Sequence, residues 1–93
     1  MPPLEIEYSP RFQKEVQDLS EERRQGVFRA IVVLRETFGK PHVQSGRGIR
    51  RLNSGLFECR VGRDLRILFE IHDDIGYLLL IGNHDEIRRQ ARR

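Results

Sequence analysis

Four residues in the second half of this chain have the types and spacing for phosphate chemistry: Glu58, Arg60, Arg66 and His84. A positioned carboxylate or imidazole can take or give a proton near neutral pH, a contribution of about 10²–10⁴-fold per transfer. A guanidinium grips an anion through a planar fork and stabilises charge developing on it. The simpler account of the same cluster is cross-strand ion pairing on a solvated face, which contributes little per pair. His84 follows Gly82-Asn83 at the end of an apolar run. There a histidine often does no more than cap the next helix, and Asp85 is an equally good cap.

Whether these side chains meet depends on the elements that carry them. Leu56–Val61 and Leu65–His72 alternate as strands, separated by Gly62-Arg63-Asp64. In the first, Phe57, Cys59 and Val61 point one way and Leu56, Glu58 and Arg60 the other. In the second, Leu65, Ile67, Phe69 and Ile71 form the dry set, opposite Arg66, Leu68, Glu70 and His72. With both dry sets turned to a core, Glu58, Arg60, Arg66 and Glu70 share the exposed face. Tyr77–Ile81 is an apolar strand suited to a central place, after the turn Asp73-Asp74-Ile75-Gly76. Ile49–Leu52 is a shorter strand before the turn Asn53-Ser54-Gly55. Residues 85–93 read as a short basic helix or a frayed tail.

The first half supplies the cover. Leu4, Ile6 and Tyr8 alternate with Glu5 and Glu7 as a strand. Ser9-Pro10 opens a helix over about residues 10–19 with Phe12, Val16 and Leu19 on its dry face. Ser20 caps a second helix, with Glu21 and Glu22 at its positive end. Its stripe is Val27, Ile31, Leu34 and Phe38, widened by Phe28 and Ala30, and Gly39 and Pro41 stop it. His42 to Gly48 is a polar loop. The expected fold is α+β, over residues 1–93 as one domain. An N-terminal strand is followed by a helical hairpin packed on one face of a small, mostly antiparallel sheet, with the other face open.

At 93 residues, 38% of them hydrophobic and 33% charged, the chain holds one economical core and no large multidomain enzyme. Net charge is +3, with a pI near 9.6. All but two of the 17 Lys and Arg residues are arginine. That excess suits a polyanion, RNA or DNA, or an acidic protein segment. A GC-rich coding sequence accounts for it equally well. Cys59, the single cysteine, rules out an intrachain disulfide and suits a reducing, cytoplasmic setting. No run approaches the roughly 18 consecutive apolar residues of a membrane span, and the N-terminus lacks the basic start and apolar run of a signal peptide. His42, His72 and Cys59 have no metal-ligand spacing, so neither a metal site nor a cofactor is expected.

The chain resembles the RelE/ParE toxin superfamily over essentially its whole length. The resemblance rests on Leu52, Glu58-Cys59-Arg60-Val61-Gly62, Leu65-Arg66-Ile67-Leu68-Phe69 and Leu80-Ile81-Gly82-Asn83-His84, in that order. It implies a RelE-like two-layer sandwich and a toxin of a type II toxin–antitoxin system with a cognate antitoxin. RelE-like members cleave mRNA in the ribosomal A site without metal; ParE-like members poison DNA gyrase. The favoured implication is the ribosome-dependent endoribonuclease, in contact with mRNA and ribosomal RNA. The alternatives are a gyrase poison and a degenerate toxin that only binds its antitoxin. Arg60 and Arg66 then match basic residues of the central hairpin, and His84 matches a late arginine or histidine of active members. Glu58 falls where some carry lysine or a catalytic carboxylate. Arg66 becomes the phosphate clamp and His84 the proton-transfer group, with Glu58 the other candidate acid or base. Arg47, Arg50, Arg51, Arg88 and Arg89 are candidate RNA-phosphate contacts, although solvated basic segments explain them too. Where several RNA-cleaving relatives place a C-terminal Tyr or Phe to stack a base, this chain has Ile87, Arg88, Arg89 and Gln90; an arginine plane also stacks.

Overall fold

The computed structural model describes residues 4–38, 48–53 and 55–92. Gly39, Pro41, the loop from His42 to Arg47, and Ser54 lie outside the described residues. The elements are β1 (Glu5–Tyr8), α1 (Pro10–Gln17), α2 (Glu21–Thr37), β2 (Ile49–Asn53), β3 (Leu56–Arg60), β4 (Arg66–His72), β5 (Ile75–Gly82) and α3 (His84–Ala91). The sheet order is β1-β5-β4-β3-β2. β1 runs parallel to β5, and the other pairs are antiparallel. This is the expected α+β arrangement.

The helices start where their caps dictate. The Ser9 hydroxyl accepts from the Phe12 amide at 2.9 Å and Pro10 fills the first turn. Ser20 caps α2 by accepting from the Arg23 amide. Phe12, Val16, Val27, Ile31 and Leu34 then pack on Cys59, Ile67, Phe69, Leu78 and Ile81 of the sheet. Each fully buried large side chain contributes about 1.5–3 kcal/mol of burial free energy. Phe28 departs from its expected place: it is 52% exposed, one residue on from Val27 and so about 100° round α2 from the Val27–Ile31–Leu34 stripe.

Two local features set the other face of the sheet. The β4–β5 turn is only Asp73-Asp74, because Asp73 adopts φ 57°, which a short polar side chain tolerates. Ile75 and Gly76 therefore join β5 rather than the turn. Leu68 pairs with Leu80 but Phe69 pairs with Leu78, leaving Leu79 as an extra residue. This bulge sends Leu79 and Leu80 to the same face, while Leu78 and Ile81 stay under the helices. Past the end of β1, α1 satisfies the β5 backbone. Ser9 Oγ donates to the Leu79 carbonyl at 2.6 Å, and Glu15 Oε1 accepts from the Ile81 amide at 2.8 Å.

The second face is not open as expected. Residues after Gly82 form α3, whose Ile87 is fully buried against Leu68 and Leu80, flanked by Leu52, Leu56 and Leu79. The cap is Asn83, not His84 or Asp85. Its side chain accepts from the Glu86 amide while Glu86 accepts from the Asn83 amide, a reciprocal capping box. At its far end, Asn53 Nδ2 donates to the Ala91 carbonyl. Helix α3 thus runs from the end of β5 to the β2–β3 turn and divides this face in two.

Candidate active site and nucleic-acid interface

Sheet register places the candidate side chains on the α3 side. Arg60 pairs with Arg66, and Arg66 with Gly82, two residues before His84. The next row runs Arg50–Glu58–Leu68–Leu80. Glu58, read from the sequence as exposed, is 1% exposed, because its row continues into the leucines covered by Ile87. Its Oε1 accepts from Arg66 Nη1 at 3.3 Å, and the Arg66 side chain is itself only 14% exposed. Glu58 Oε2, Arg66 Nε and His84 Nδ1 are buried with no hydrogen-bond partner among the described residues. A buried ion pair with unused donors and acceptors is a poor stabilising device, since desolvation offsets most of its attraction. The pair does hold the Arg66 guanidinium in one orientation.

Arg60 lies directly across from Arg66 and is exposed, with no carboxylate partner among the described residues. Cross-strand ion pairing therefore explains only part of the cluster: Glu58 neutralises Arg66, and Arg60 faces that pair with its own charge unmatched among the described residues. Gly48 fixes the spot. Its carbonyl accepts from the Arg60 amide, and a Cβ on it would approach Arg60 Cβ to 3.0 Å at a φ of +80°. Glu70 belongs elsewhere. It bonds His72 Nε2 at 2.8 Å beside Tyr77 and Leu79, at the β4–β5 hairpin end.

The remaining arginines sort by what they hold. On the helical hairpin, Arg24 donates to the carbonyls of Val16, Gln17 and Leu19 and to Glu21. Arg11 pairs with Glu15, Arg23 with Asp64, and Arg35 donates to the Leu4 carbonyl. These arginines are structural. By contrast Arg50, Arg60, Arg63, Arg88, Arg89 and Arg92 make no side-chain hydrogen bond or ion pair among the described residues; on α2, Arg29 shares that condition. Arg50, Arg51, Arg88 and Arg92 line one cleft of about 230 Å³ with Leu52 and Ala91, between β2 and α3. Guanidiniums so gathered, all but Arg51 without a side-chain hydrogen bond among the described residues, have the charge and geometry to meet a polyanion.

A family model described as the ParE toxin of the type II toxin–antitoxin system, parDE, matches residues 6–88. The chain belongs to this family. Comparison with curated proteins gave no match. Among solved structures, the toxin is similar in fold to the archaeal RelE–RelB complex of Pyrococcus horikoshii, at 16% identity and TM-score 0.69, covering 87% of this chain and 94% of that one. E. coli YafQ matches at 19% identity and TM-score 0.67, over 90% of this chain and 97% of that one. The intact E. coli RelBE toxin–antitoxin complex matches at 14% identity and TM-score 0.65, over 86% and 95%. At these identities the likeness is one of fold.

In the toxin, Arg50, Arg51 and Arg88 come together, whereas Arg89 is exposed outside the cleft, and Arg47 lies outside the described residues. From the basic tail, sequence reading singled out Arg88 and Arg89 and not Arg92, which lines the cleft. The signal was present, since His84, Arg88 and Arg92 recur every four residues and so share one flank of a helix. Cys59 is no nucleophile: burial, and secondarily the Glu58 charge, push its thiol up to about 11. A hollow of about 420 Å³ between α2 and the end of β3 is lined by small and apolar residues and by two arginines, Arg29 and Arg60, the second shared with the site. Among the described residues no group of three His, Cys, Asp or Glu side chains is placed to hold a metal ion, and no helix is long and apolar enough to cross a membrane.

Proposed function

We propose that this toxin cleaves mRNA on the ribosome with its own side chains and without a metal ion. The observation that carries the reading is the register: a carboxylate-held arginine, Arg66, sits between an unpaired arginine, Arg60, and Gly82, two residues before His84, whose helix lines a basic cleft further on. Phosphodiester cleavage of this kind deprotonates the 2′-hydroxyl, whose oxygen attacks phosphorus to close a 2′,3′-cyclic phosphate. The bond to the 5′-oxygen breaks and that oxygen takes up a proton. His84 takes the 2′-hydroxyl proton on Nε2 and returns it to the departing 5′-oxygen, since Nδ1 is tucked into the protein. Arg66 and Arg60 hold the non-bridging oxygens, where negative charge accumulates in the transition state. Glu58, out of reach of solvent, is a positioning residue: it fixes Arg66 and leaves proton transfer to His84.

A type II toxin of this kind acts in the cytoplasm and is held by a cognate antitoxin, as RelE is by RelB in two of the related structures. An acidic antitoxin segment suits the unpaired arginines. A second reading, a gyrase poison, is favoured by the ParE description of the family. The two separate in one pair of assays. Purified toxin is added to ribosomes translating a defined mRNA, with primer extension to locate cuts, and in parallel to gyrase supercoiling a relaxed plasmid. The expected result is cuts inside the reading frame that require ribosomes, with supercoiling unaffected. Intact mRNA with inhibited gyrase reverses the conclusion.

A further inference from the structure

Helix α3 carries a ladder. His84, Arg88 and Arg92 lie on one flank, and at 1.5 Å per residue Arg88 is about 6 Å and Arg92 about 12 Å along the axis from His84. That flank faces β2, because Arg88 and Arg92 share their cleft with Arg50 and Arg51. Ile87 and Ala91 point to the sheet or its edge, and Arg89 projects away to solvent. Arginines near a helix C-terminus are favoured by the helix dipole, which accounts for Arg88 and Arg89 alike. It does not account for Arg88 and Arg92 converging on two further arginines of β2 with no carboxylate among the cleft-lining residues. Four guanidiniums so gathered repel one another, and an anion between them removes that cost.

We infer that the cleft between β2 and α3 binds successive phosphates of a single RNA strand, with Arg88 and Arg92 as consecutive rungs counted from the reacting phosphate at His84. The inference rests on the RNA-cleavage reading for its substrate and goes beyond it by giving the strand a path and a register. The strand enters along α3 toward the β2–β3 turn. Each turn of the helix meets one backbone unit, Arg88 first and Arg92 at the outer end, across the cleft from Arg50 and Arg51. Because the contacts are to phosphate, this path is indifferent to base identity. It does not involve Arg89, although that residue has the same charge on the same helix.

The test compares salt dependence of binding. A fluorescein-labelled eight-nucleotide single-stranded RNA is titrated with wild type, Arg50→Ala, Arg88→Ala, Arg92→Ala and Arg89→Ala between low and moderate salt, read by anisotropy. For single strands the log–log salt slope falls by about 0.7 for each phosphate that is no longer neutralised. Arg50→Ala, Arg88→Ala and Arg92→Ala are each expected to lower the slope by about that amount, and the Arg88/Arg92 double variant by about 1.4. Arg89→Ala is expected to leave it unchanged. Equal shifts for Arg88→Ala and Arg89→Ala, no measurable RNA binding, or tighter binding of duplex DNA of the same sequence each overturns the ladder. Ribosome-dependent cleavage by the wild type is measured alongside. Cleavage without the Arg88–Arg89 difference removes the ladder alone, and the difference without cleavage upholds the ladder and removes the nuclease reading.

Discussion

Glu58 shows how one residue changes meaning between sequence and structure. Strand alternation placed it on the face opposite Phe57 and Cys59, which is correct. Exposure did not follow, because α3 lies over that face and the row beside Glu58 ends in Leu68 and Leu80. Its burial and its bond to Arg66 are the grounds on which it is proposed to orient rather than react. Removing a buried partner strands the other charge, so Glu58→Ala is expected to cost about 3–5 kcal/mol in urea unfolding. Glu58→Gln keeps the shape and an acceptor, and a smaller loss is expected. In single-turnover cleavage Glu58→Gln should weaken the reaction through Arg66 while leaving the pH profile of the rate unchanged. A displaced pH profile would make Glu58 the proton-transfer group after all.

At the scale of elements, most of the architecture was legible because each piece is locally encoded. Ser9-Pro10 and Ser20 announce the helices, the alternation in Leu56–Val61 and Leu65–His72 announces the strands, and the tight turns force the antiparallel order. Helix α3 was only half legible. Residues 85–93 offer a single apolar anchor, Ile87, and neither helix nor tail could be preferred from that. Its docking depends on the bulge at Leu79, a tertiary feature that turns two adjacent leucines to one side. Phe28 failed for a related reason: a helix with apolar residues beyond its stripe does not say which of them the sheet will cover. Since Ile87 is fully buried between Leu68 and Leu80, Ile87→Ala is expected to cost about 2–5 kcal/mol. The loss should fall chiefly on α3, with hydrogen exchange rising in Ile87–Ala91 before it rises in β4. Uniform loss of protection across the sheet would show that α3 is integral to the core.

For the whole molecule, charge is distributed by side. The arginines of the helical hairpin are mostly occupied with carbonyls and carboxylates, while those of β2, β3 and α3 are mostly unoccupied. Composition leaves a polyanion partner and arginine-rich coding equal, because a count carries no positions; the fold adds the positions on which the proposed RNA contact rests. Family membership then makes the chain a toxin, and the chemistry proposed for it rests on the arrangement around His84. The central claim is attack by the RNA's own 2′-oxygen, assisted by His84. It is tested most directly with a ribosome-bound mRNA carrying a single 2′-deoxynucleotide at the cut position mapped on the unmodified message. With that message, no cleavage is expected there, and with the unmodified message His84→Ala is expected to lose about 10²-fold or more in rate. Cleavage of the deoxy-substituted message at the wild-type rate, or full activity of His84→Ala, would contradict the account.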